Sequence, residues 1–148
     1  MRKIQLECIV FRKRNQLYEF LLLKRIPKKG NFWQPVCGGM EESDSSLLDA
    51  ALRELKEEAS ITPDKIINIL PDFYSFEINK HYLTGEPISP IEEHVFGFEL
   101  DPDFDIKICN NIYVEHEEFR WVSFKDALSL LKWDNNKDAF KKLSSLLS

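Results

Sequence analysis

Between Gly38 and Ile61 the chain gathers the groups best able to do chemistry: the carboxylates Glu54, Glu57 and Glu58, with Arg53 beside the first of them. A helix turns about 100° per residue. With Glu54 as origin, Glu57 falls near about −60° and Glu58 near about +40°. Leu55, Ala59 and Leu52 then fall at about 100°, 140° and 160°. One stripe is therefore apolar and suited to face a sheet, while the neighbouring stripe carries three acids. Such acids repel one another by a few tenths of a kcal/mol per pair, roughly, on an exposed helix. A hard divalent cation removes that repulsion. Mg²⁺ takes oxygen ligands, uses few protein carboxylates and completes its shell with water and phosphate. On a polyphosphate it neutralises charge and lowers the pKa of an attacking water. A carboxylate left over can take the proton as general base. Arg53 can orient a neighbouring acid through charge-assisted hydrogen bonds. Gly38-Gly39, just upstream, lets backbone carbonyls approach a metal without a Cβ in the way. The plain alternative for the acids alone is a solvated helix face.

These groups need a frame. The spacing predicts a helix over Ser45–Ala59, with Ser43, Asp44 or Ser45 as N-cap and Leu48, Leu52, Leu55 and Ala59 on one face. Thr62-Pro63-Asp64 ends it or starts a turn. Residues 4–12 alternate, with Ile4, Leu6, Cys8 and Val10 on one parity and Gln5 and Glu7 between, as in a strand. Arg12–Gln16 is polar and can turn the chain into the apolar run Tyr18–Leu23. Pro27–Asn31 reads as a loop, and Phe32–Cys37 as a short apolar segment. Ile66–Leu83 and Ile91–Leu100 have strand composition, separated by a loop around 85–90, and Phe119–Val122 reads as a last strand. Ser123 can cap a helix through Leu131, and Asn135–Leu147 can form another. Mixed strands and helices give an α+β or mixed α/β class.

Composition narrows the function classes. The 148 residues, 43% hydrophobic and 30% charged, suit one soluble domain, 1–148, and exclude a disordered or fibrous chain. A net charge of −5 argues against coating nucleic acid, which needs a basic face. Cys8, Cys37 and Cys109 form no CxxC pair and read as reduced cytosolic thiols. No apolar run approaches a membrane span, and Met1–Val10 lacks a signal-peptide core. A cytoplasmic location is expected.

The segment Gly38–Ile61 resembles the signature of the Nudix (MutT-like) hydrolases: Gly, five residues, Glu, seven residues, then Arg-Glu-apolar-x-Glu-Glu-x-Gly-apolar. Arg53-Glu54-Leu55-Lys56-Glu57-Glu58 matches fully, and Ile61 fills the last apolar place. Counting back from Arg53 makes Gly39 the box glycine and puts Ser45 where Glu belongs. Aligning from Trp33-Gln34-Pro35-Val36 makes Gly38 the glycine and puts Asp44 there, with one extra residue before Arg53. The second is favoured, because Asp is chemically closer and a loop insertion costs little. Ser60 replaces the later glycine. The resemblance implies a mixed β-sheet sandwiched between α-helices, an α/β/α sandwich. It also implies hydrolysis of a nucleoside diphosphate linked to a group X, with Mg²⁺ or Mn²⁺. Carried over by position, Glu57 and Glu58 are metal ligands, Glu54 is a ligand or the base, and the carbonyl of Cys37 or Gly38 adds a ligand.

Outside the box, Phe32–Val36, Glu115–Val122 and Leu131–Asn136 resemble the dATP/dihydroneopterin triphosphate pyrophosphohydrolase branch. The implied reaction releases pyrophosphate from a (deoxy)nucleoside or pterin triphosphate. The string from Glu115 to Trp121 also occurs in diadenosine tetraphosphate hydrolases, so asymmetric cleavage of diadenosine polyphosphates stays open. A non-catalytic nucleotide-sensing or protein-binding module on the same scaffold is the reading from another class. Family members often add a carboxylate from elsewhere, for which Glu93, expected at the entry of a strand, and Glu115 are candidates. Substrate binding falls to Arg25, at the end of a strand, to Trp33, which can stack on a base, and to Glu115. His116 reads as packed or hydrogen-bonded. The expected partner is a small nucleotide or pterin polyphosphate, with neither nucleic acid nor membrane. Homodimers are common in the family, and the oligomeric state stays open.

Overall fold

A computed structural model describes residues 3–108 and 115–148; Cys109 lies outside the described residues. The strands are β1 (Lys3–Arg14), β2 (Leu17–Arg25), β3 (Trp33–Gln34), β4 (Val36–Gly39), β5 (Ile66–Lys80), β6 (Pro87–Leu100) and β7 (His116–Val122). The helices are α1 (Leu47–Ala59), α2 (Phe124–Leu130) and α3 (Asp134–Leu147). The strands form one sheet with the path β3-β2-β1-β6-β5, β4 pairing β1 and β7 pairing β2. β1 and β6 run parallel, and the other pairs are antiparallel.

Both faces of this sheet are covered. Leu6, Cys8 and Val10 of β1 pack with Ala50, Ala51, Leu55 and Ala59 of α1. Ile9 and Phe11 point the other way, into Ala127 of α2 and Ala139, Phe140 and Leu143 of α3. The expected sandwich of a mixed sheet between helices is what forms. Double coverage also explains why Leu6–Phe11 is buried at every position, as strands covered on both faces are. The alternation in the sequence places Glu7 on a polar side, yet that side is interior too.

Several element ends differ from the sequence expectation. Helix α1 begins at Leu47, two residues late, because Ser46 is its N-cap and accepts the Asp49 N–H at 3.1 Å. Ser43, Asp44 and Ser45 therefore lie outside it, which frees Asp44 for another partner. At the far end Ser60 takes the left-handed conformation (φ 60°) and its N–H meets the Leu55 and Lys56 carbonyls. Hairpin β5–β6 keeps pairing as far as Lys80 with Pro87, so β6 starts earlier than expected. Glu93 accordingly sits in mid-strand, not at a strand entry.

Candidate active site

The acidic stripe of α1 is set against β4. A methyl group on Gly38 would collide with the Glu54 carboxylate, so glycine here leaves that carboxylate its place. Gly39 has open space at the same place. Arg53 organises the loop before the helix. Its Nε and Nη2 donate to the two Asp44 carboxylate oxygens at 3.0 and 2.9 Å. Nη1 donates to Glu54 at 3.0 Å and Glu57 at 3.1 Å, and Nη2 also reaches the Gly39 carbonyl at 2.9 Å. Asp44, not Ser45, is thus the acid that meets Arg53. It also accepts the Glu41 N–H at 2.8 Å, which closes the turn.

Glu58 turns toward the start of β7. A carboxylate oxygen of Glu58, one of Glu115 and a ring nitrogen of His116 lie within 4.8 Å of one another. The Cys37 N–H donates to Glu58 at 3.3 Å. Gln34 Nε2 lies 2.8 Å from His116 Nε2, and burial lowers that imidazole to about 4, so it is neutral and can accept. Burial also raises the acids. Glu54 moves up to about 7 despite Arg53. Glu58 moves well up through burial and the charges of Glu54 and Glu115. Glu93, buried in β6, moves up to about 7. Asp44 moves down because Arg53 bonds it. Crowded hard-oxygen donors whose charge is costly to keep unpaired are the donor set a divalent cation fits.

These groups open onto one cavity of about 1380 Å³. Glu54, Glu57, Glu58, Glu93, Glu115 and Arg25 all contribute to its wall. Arg25 Nε donates to the Lys29 carbonyl at 3.0 Å, and its guanidinium lies over the Tyr82 ring at 5.2 Å. Trp33 is not in the described cavity wall. On β3 it points to the α2–α3 side of the sheet, under the Arg120 guanidinium at 4.6 Å. The cavity's aromatic wall is instead Phe32, Tyr82 and Trp133, with Phe32 and Trp133 edge-to-face at 4.6 Å. Sequence reasoning missed Glu7, Gln34, Tyr82 and Asn136. Gln34 and Asn136 stand in segments that carry the family resemblance, whereas Tyr82 gives no local signal.

The NUDIX domain family model matches residues 1–143. The chain belongs to the NUDIX family. A dihydroneopterin triphosphate diphosphatase of Haemophilus influenzae is 36% identical over 117 residues, 76% of this chain and 70% of that protein. An octanoyltransferase of Myxococcus xanthus is 28% identical over 84% of this chain, which spans only 32% of that protein. Among solved structures, a Caenorhabditis elegans Ap4A hydrolase binary complex superposes with a TM-score of 0.80 at 24% identity. That match covers 98% of this NUDIX chain and 97% of the other, and it is a likeness of fold. The enzymes of this family are phosphoanhydride hydrolases, and NUDIX hydrolases generally use divalent metals. No helix among the described residues is long and apolar enough to cross a membrane.

Proposed function

We propose that the protein is a pyrophosphohydrolase that takes a (deoxy)nucleoside or pterin triphosphate to the monophosphate and pyrophosphate. The observation that carries this is the opening of the α1 carboxylates, Glu93 and Arg25 onto one cavity with an aromatic wall. The similarity to a dihydroneopterin triphosphate diphosphatase supports the triphosphate substrate class. Glu54, Glu57 and Glu58, with the Gly38 carbonyl, would hold the divalent cation, Mg²⁺ or Mn²⁺, and Glu115 stands beside them. When bound, that cation neutralises phosphate charge and activates water for attack on phosphorus.

The chain's own groups do the rest. Arg53 fixes Glu54 and Glu57 and ties both to the Asp44 turn, so the acids are oriented before substrate arrives. Glu93, outside that ligand set, titrates near neutrality, which suits a carboxylate oxygen that takes a proton from water. Arg25 supplies a positive group for phosphate oxygens. No cysteine or serine nucleophile is needed, since phosphoryl transfer rests on positioning and charge stabilisation.

The test is product analysis by phosphorus NMR across nucleoside triphosphates, dihydroneopterin triphosphate and diadenosine polyphosphates with Mg²⁺. Pyrophosphate from a triphosphate is the expected product. Turnover of diadenosine polyphosphates alone would replace this reading by asymmetric cleavage, and metal-dependent binding without turnover by a sensing module.

A further inference from the structure

Glu7 has no role in the proposed hydrolysis, yet it is only 1% exposed and lies in the cavity wall. It stands on the side of β1 away from α1. Parallel pairing sets Gln5 beside Glu93 and Glu7 beside Val95, so Glu7 and Glu93 are diagonal neighbours on one face. One Glu7 oxygen, Oε1, accepts from the Asn136 side-chain amide. The other, Oε2, is buried with no hydrogen-bond partner among the described residues. Placing such an oxygen inside a protein is costly, so a lone buried acceptor marks a place where something else supplies the donor.

The surrounding groups specify the donor. Glu7 offers its oxygens, and Asn136, which gives one amide N–H to Glu7, offers its carbonyl. Trp133 and Phe32 stand in the same wall and can hold a flat ring. A ring that enters must bring adjacent N–H groups. Adenine and cytosine place a ring acceptor next to the amine, and uracil sets one N–H between two carbonyls. The 2-amino-4-oxo pyrimidine ring, shared by guanine and pterin, presents a ring N–H beside an exocyclic amine. The geometry points to Glu7, oriented by Asn136, as a specificity determinant that reads the paired N–H edge of a 2-amino-4-oxo ring. This deepens the proposed function and rests on it for the phosphate end of the ligand.

The test is equilibrium binding, which does not require turnover. Calorimetry of the full chain with Mg²⁺ compares GMP, IMP, AMP and neopterin monophosphate. GMP or neopterin monophosphate should bind about tenfold or more tighter than IMP, which lacks the amine, and than AMP. The tighter of the two says whether the ring is a purine or a pterin. In Glu7→Gln, which turns an acceptor into a donor, the preference should shrink to under about threefold. Asn136→Ala, on the first turn of α3, should reduce it as well and serves if the Glu7 variant does not fold. Equal binding of GMP, neopterin monophosphate and IMP by the wild type, no binding of any of them, or an undiminished preference in a folded variant would each overturn the assignment. Discrimination without turnover of any triphosphate would retain the Glu7 site and remove the hydrolase reading. Turnover without discrimination would do the reverse.

Discussion

Arg53 holds Asp44 across nine residues of chain by two parallel hydrogen bonds, Nε to Oδ1 at 3.0 Å and Nη2 to Oδ2 at 2.9 Å. The same guanidinium reaches Glu54 and Glu57, so one cation links the loop before α1 to the acids on it. A bidentate pair of this kind fixes orientation as well as charge. Asp44→Asn removes the charge and half of the acceptor capacity facing Arg53. Turnover should fall about ten- to hundredfold through misplaced acids, with the fold retained by circular dichroism. Ser45→Ala, next to it, should leave the rate within about twofold, as expected for exposed positions without such partners.

Gly38 and Gly39 are adjacent and should respond oppositely. Gly38→Ala drives a methyl into the Glu54 carboxylate, which must leave its place. That carboxylate is the far end of a flexible side chain, so the fold should be retained while activity falls. Gly39→Ala meets open space and should be nearly neutral in both thermal unfolding and rate.

The pH dependence of metal-free stability has a definite sign. Glu54 and Glu93 titrate near 7 when folded, above their usual range, and Glu58 is likewise raised well above its usual value. The folded state therefore keeps protons that the unfolded chain has lost. Stability from these groups is full below the ordinary carboxylate pKa and is lost as pH rises through the folded values. His94, raised by Asp72 and Glu92 against its own desolvation, acts in the same direction. His116 is lowered to about 4 and acts oppositely, but only below its ordinary value. Between about pH 6.5 and 8 the melting temperature in chelator should fall. Mg²⁺ should remove most of that fall by replacing protons on the acids and binding only the folded chain. A flat profile in chelator, or a fall that Mg²⁺ leaves unchanged, would contradict the metal-free charge crowding.

Ser60 ends α1 in the left-handed conformation that glycine adopts freely. Ser60→Gly should stabilise the chain by up to about 1 kcal/mol, less the hydroxyl bond to the Lys107 carbonyl. Chemical denaturation measures the balance.

How much of this was legible follows from the range of each interaction. The α1 acids were readable because helical spacing alone sets them on one stripe. Asp44 was favoured on chemistry, and its pairing with Arg53 depends on Ser46, a residue later than any expected cap. Glu7 was misplaced for a non-local reason. Its alternation with Leu6 and Cys8 signals a half-exposed strand, and only the packing of α3 on the second face makes that side interior. Trp33 shows the same limit, since the sequence cannot say on which side of β3 its ring points. Glu115 was named both as an added carboxylate and as a substrate contact, and the fold brings it beside Glu58 from the start of β7.

The most direct measurement is the Mg²⁺-dependent rate of pyrophosphate release from a triphosphate substrate by the wild type, Glu58→Gln and Glu57→Gln. Wild-type turnover that drops by about a hundredfold or more in Glu58→Gln, with the fold intact, is the expected result. Near-wild-type turnover in both variants would contradict the assignment of the α1 carboxylates to catalysis.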